Sequence, residues 1–166
     1  MQDPLRHLWV RFARSVVMII LVLAAPSLAY ALGPVASSGL CTVSATPLAF
    51  GKYDPLRHAD AVTAGILSYR CSGTPKRLII ALTAGESNSF RLRRMGRGRK
   101  AVLYNLYLDA ARTRVWGDGT GGSQTFIVYS PTSGSQVNIP VYGRLFGDQN
   151  DSAGNYHDDV SVVVTY

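Results

Sequence analysis

Along residues 156–166 the apolar side chains fall on alternate positions. Val160, Val162, Val164 and Tyr166 share one face of an extended segment, and Ser161, Val163 and Thr165 share the other. The pattern predicts a β-strand. Such a strand has two edges of backbone N–H and C=O groups to satisfy. One neighbour is expected from earlier in the chain; the other comes from earlier in the chain or from a different molecule.

The same reading carried back along the sequence gives a series of short strands. Cys41, Val43 and Ala45 share a parity before Pro47 interrupts, and Leu48 and Phe50 resume it before Gly51, which predicts a kinked, two-part first strand. Residues 52–63 read as a loop around Pro55. Residues 64–71 place Leu67, Tyr69 and Cys71 on one face, and residues 78–83 follow after a turn at Gly73 and Pro75. Residues 93–100, RRMGRGRK, read as a turn held by Gly96 and Gly98. Next comes the strongest strand of the middle, with Val102, Tyr104, Leu106 and Leu108 on one face and Asn105 and Tyr107 on the other, continued after a loop by residues 114–116. Residues 124–129 and 137–146 complete the set, and no stretch has helical periodicity. Roughly seven short strands with turns at near-regular spacing predict an all-β, immunoglobulin-like antiparallel sandwich. The Cys spacing and partner Trp of a true antibody domain are missing.

The first 31 residues change the picture of where the chain goes. Arg6, His7, Arg11 and Arg14 precede an apolar run at residues 16–25, and Ala29-Tyr30-Ala31 is a small-x-small pattern. Residues 1–31 are expected to be a signal peptide cleaved after Ala31. The run falls short of the roughly 18–20 apolar residues of a membrane span and is stopped by Pro26. No stable span is expected after the leader is removed. Residues 32–40, LGPVASSGL, read as a flexible arm, and 41–166 as the domain. Export puts Cys41 and Cys71 in an oxidising compartment, where two cysteines read as one disulfide. Closing that loop restricts the unfolded chain by about 3–4 kcal/mol.

Removing the leader takes Arg6, Arg11, Arg14 and Asp3 from the chain's 17 basic and 10 acidic residues, leaving 14 against 9 and a net +5. Much of that surplus sits in Arg93, Arg94, Arg97, Arg99 and Lys100. No aromatic platform is interleaved with them, so nucleic acid is not expected; contact with an anionic surface is the functional alternative to a solvated turn. Residues 117–122, GDGTGG, satisfy GxGxxG, yet SQTFIVY follows where a dinucleotide site needs a helix. Asp148, Asn150, Ser152, Gly154 and Asp159 imitate a calcium loop with Gly one place late and no closing Glu. Asp158 and Asp159 point to opposite strand faces, His157 and His58 have no nucleophile partner, and no GxSxG elbow exists. No enzyme, cofactor or metal is expected.

Several separated motifs occur in a fixed order: CTV from Cys41, LAFGKY from Leu48, YNLYLD from Tyr104, WGDG from Trp116, VYGR from Val141, and YHDD from Tyr156 with the valine-rich end. In these the chain resembles the spore coat protein U domain family, which includes subunits of archaic, Csu-type chaperone-usher pili. The resemblance covers residues 41–166. It implies an incomplete immunoglobulin-like fold whose last strand comes from a partner, with a periplasmic chaperone, an outer-membrane usher and neighbouring pilus subunits as partners. Val160, Val162, Val164 and Tyr166 would border the groove that a donor strand enters. It also implies a place on the cell surface and a part in adhesion and biofilm formation. One departure is the arm, where Gly33, Pro34 and Gly39 stand where apolar anchors would be wanted. A self-sufficient secreted coat or envelope-binding module with a basic patch is the alternative reading.

Overall fold

In the computed structural model the described residues are 7–13, 40–52, 58–149, 151–152 and 154–166. The predicted apolar run, the cleavage point and the arm at residues 32–39 lie outside them. Ten strands are described: β1 His7–Ala13, β2 Leu40–Ala45, β3 Leu48–Lys52, β4 Ala61–Ser72, β5 Arg77–Leu82, β6 Arg93–Arg97, β7 Lys100–Tyr107, β8 Phe126–Tyr129, β9 Gln136–Leu145 and β10 His157–Thr165. A single 3-10 turn, Gly85–Ser87, is the one helical element among them. The strands run β2-β4-β9-β7-β6-β10-β1-β3, with β5 pairing both β10 and β8. All pairs are antiparallel except β1 with β10.

The core follows from the alternation. Leu67, Tyr69 and Cys71 of β4, Val102, Tyr104 and Leu106 of β7, and Ile139, Val141 and Leu145 of β9 face Leu78, Ile80 and Leu82 of β5, Val160 and Val162 of β10, and Leu48 and Phe50 of β3. This is a two-faced sandwich of the immunoglobulin-like kind, reached by an open path of strands.

Pro47 divides the first strand as expected, so β2 pairs with β4 while β3 crosses to the other face and pairs with β1. Cys41 lies opposite Cys71 in the β2–β4 register, and the two form a disulfide. Two glycines give β3 its seat. A Cβ at Gly143 of β9 would stand 2.8 Å from Phe50 Cζ and 2.9 Å from Leu48 Cδ2, and one at Gly65 of β4 would stand 3.4 Å from Leu48 Cδ1.

Two segments differ from the sequence reading. Residues 93–100 are no broad turn: β6 and β7 form a hairpin in which Arg97 pairs Lys100, and only Gly98 and Arg99 lie between them. Gly98 has φ +58°, which a tight hairpin turn requires. Residues 114–116 do not prolong β7 but double back beside it, with Leu108 N donating to Arg114 O and Trp116 N to Leu106 O, both at 2.9 Å. Asp109 holds that reversal by accepting from the backbone N–H of Arg114 and from Thr113 Oγ1, and these bonds keep its carboxyl below the usual range. The doubled-back segment carries Trp116 into the core, fully buried, where Nε1 donates to Ile80 O at 3.0 Å.

Candidate functional site around β10

β10 is the strand on which the two faces of the sandwich meet. Its inward row reads Tyr156, Asp158, Val160 and Val162, all buried; Val164 packs partly against the core, and Tyr166 is 49% exposed. One edge of β10 is paired by β6 at His157 and by β5 over residues 162–165. The other edge is met by β1, which runs parallel to β10 from Trp9 opposite His157 to Ala13 opposite Ser161. β1 pairs on its far side with β3, from His7 opposite Lys52 to Val10 opposite Leu48. β1 is therefore the one described strand that bridges β10 and β3. It comes from the basic end of the predicted leader, and the strands it pairs carry Val160 and Val162 on β10 and Leu48 and Phe50 on β3, all four buried in the core.

The wall formed by β10 is fixed by buried polar contacts that sequence reasoning did not find. Asp158 is inaccessible: Oδ2 accepts from Tyr104 Oη at 2.7 Å and Oδ1 from Glu86 N at 2.9 Å. Gly85, at φ +64°, lies so close that a Cβ there would stand 2.2 Å from Asp158 Oδ2. Burial first, and then the Asp158 charge, raise the Tyr104 phenol well above its ordinary value. Asp159, by contrast, is exposed, so the two neighbouring carboxylates do part to opposite faces.

Arg93 corrects the expected basic patch. Its parity with Met95 points it inward, and it is fully buried, with Nη1 donating to Asn105 Oδ1 at 2.6 Å and Nη2 to Thr83 O at 2.9 Å and Trp116 O at 2.7 Å. It cannot touch an anionic surface. Arg94, Arg97, Arg99 and Lys100 remain exposed on the β6–β7 hairpin, but Arg94 Nη2 reaches Glu86 O at 3.4 Å and Lys100 Nζ pairs Asp151 at 3.6 Å. Burial of Arg93 lowers its pKa, opposed by the neighbouring Tyr104 and Asp158.

The remaining chemical motifs settle into local structure. Residues 117–122 form a turn closed by Ser123 Oγ, which accepts from Gly119 N and donates to Thr120 O, and β8 rather than a helix follows. His58 pairs with Asp148 at an exposed position, and His157 is exposed. Among the described residues no group of three His, Cys, Asp or Glu side chains converges.

A family model for the Spore Coat Protein U domain matches residues 31–163. The chain belongs to the spore coat protein U domain family. Protein U of Myxococcus xanthus is 30% identical over 131 residues, which cover 72% of this chain and 71% of that protein. Among solved structures, the fold is similar to a chain in the CsuC–CsuE chaperone–tip adhesion subunit pre-assembly complex from archaic chaperone-usher Csu pili of Acinetobacter baumannii. That similarity has a TM-score of 0.52 at 20% identity and covers 77% of this chain. This chain spans 40% of the length of its structural neighbour. The open, mostly antiparallel arrangement of strands fits the incomplete immunoglobulin-like fold of that structural neighbour.

Proposed function

We propose that the protein is a non-enzymatic, exported subunit of a chaperone-usher surface pilus, assembled by donor-strand complementation and serving adhesion and biofilm formation. The observation that carries this reading is the pairing of β10. Among the described residues, its second edge, and with it the edge of β3, is met only by a segment of the predicted leader. Cleavage after Ala31 would remove that segment and open a slot floored by Val160, Val162, Leu48 and Phe50. Backbone groups left without partners beside an apolar floor are costly, so a strand from another molecule is the physical completion. A periplasmic chaperone would lend the first such strand, an outer-membrane usher would receive the subunit, and a neighbouring subunit would replace the chaperone. Head-to-tail exchange of this kind is a heterologous contact and generates an open filament.

Substitution in the slot tests this. Val162→Asp puts a carboxylate on the floor and should abolish chaperone binding and export, whereas Val163→Asp, on the outward face where Val163 is 49% exposed, should leave both intact. Equal behaviour of the two variants would refute the assignment of the slot.

A further inference from the structure

The strand seen in the slot and the arm that would remain after cleavage are not equivalent. β1 carries Leu8, Val10 and Phe12 at alternate positions, the pattern a strand needs to press three apolar side chains onto one face. Residues 32–39, the eight left between Ala31 and the start of β2, offer two parities. One reads Leu32, Pro34, Ala36 and Ser38; the other reads Gly33, Val35, Ser37 and Gly39. Neither holds three successive large apolar residues. Pro34 also lacks the N–H a ladder uses.

Resting on the reading of β10 and β3 as an acceptor slot, we infer that this chain takes a strand but does not give one to a second copy of itself. The slot's occupant is an extended segment of a different polypeptide, with large apolar residues at three or more alternate positions. The chain therefore joins a fibre on one side only, through its acceptor slot.

The test uses the exported protein isolated as its complex with the chaperone. It is incubated alone, with a synthetic peptide of sequence HLWVRFA, or with one of sequence LGPVASSGL, and followed by native mass spectrometry. The HLWVRFA peptide should displace the chaperone to give a one-to-one complex, the arm peptide should do so at least tenfold more slowly, and the protein alone should give no ladder of oligomers. A ladder that disappears when residues 32–39 are deleted, or equal displacement by the two peptides, would overturn the inference and leave the slot standing. Displacement by neither peptide would also overturn it, since the pattern of β1 would then have no bearing on the slot. If no chaperone complex can be isolated at all, the slot reading itself fails.

Discussion

Gly143→Ala is the sharpest probe of how β3 is held as one wall of the slot. The added methyl would sit 2.8 Å from Phe50 Cζ, 2.9 Å from Leu48 Cδ2 and 3.0 Å from Phe50 Cε1, inside any ordinary carbon–carbon contact. Leu48 and Phe50 are both buried, and Phe50 is edge-on to Tyr104 at 5.8 Å, so neither can swing aside into solvent. Overpacking of this kind costs about 1–3 kcal/mol. Alanine recovers about 0.5–1 kcal/mol of backbone entropy relative to glycine in a strand. The net expectation is a loss of about 1–2 kcal/mol in guanidinium unfolding of the strand-complemented protein. Phe50→Ala alone should cost about 3–5 kcal/mol. Because it removes two of the three clashing atoms, the double variant should be milder than the sum by about 1 kcal/mol or more. Strict additivity, or a Gly143→Ala protein as stable as the parent, would show that β3 is not seated against β9 in this way.

Three further predictions concern the polar framework. Asp158→Ala leaves Tyr104 Oη and Glu86 N without their acceptor and removes a charge near buried Arg93; it should destabilise the protein by about 3–5 kcal/mol, read as loss of exported yield and of denaturation midpoint. Trp116→Phe keeps an aromatic side chain but a smaller one, and it deprives Ile80 O of its Nε1–H donor, for an expected loss of about 1–3 kcal/mol by the same unfolding assay. Tyr104 has its folded pKa raised by burial and by Asp158, so its neutral form is favoured by folding. That contribution is complete below the ordinary tyrosine value near 10 and is lost as pH rises through the higher folded value. The unfolding midpoint should fall in that alkaline range, and Tyr104→Phe should flatten the decline.

Much of this architecture was legible in alternation alone. The inward row of β10, the division of the first strand at Pro47, the parity of Leu67, Tyr69 and Cys71, and the parting of Asp158 from Asp159 are consequences of a period of two. Arg93 was misplaced because a run of five basic residues among glycines reads as a solvated turn. Its shared parity with buried Met95 was the available signal, and what overrode composition was a set of carbonyl and amide acceptors drawn from Thr83, Asn105 and Trp116, distant in sequence. The reversal after Leu108 was missed for a similar reason. Asp109 closes it locally, but the pull that carries Trp116 inward is packing against Phe126 and a bond to Ile80, neither of which leaves a periodic trace. The place of residues 7–13 was the least accessible of all, because a basic stretch before an apolar run reads as a leader, whereas β1 pairs with both β10 and β3.

The most direct measurement is size-exclusion chromatography of the exported, leader-free protein, produced with and without the chaperone. Recovery only as a one-to-one complex is the predicted result, because the edges of β10 and β3 then depend on a strand from another molecule. A stable monomer recovered without the chaperone would contradict the account and would favour a self-sufficient secreted module.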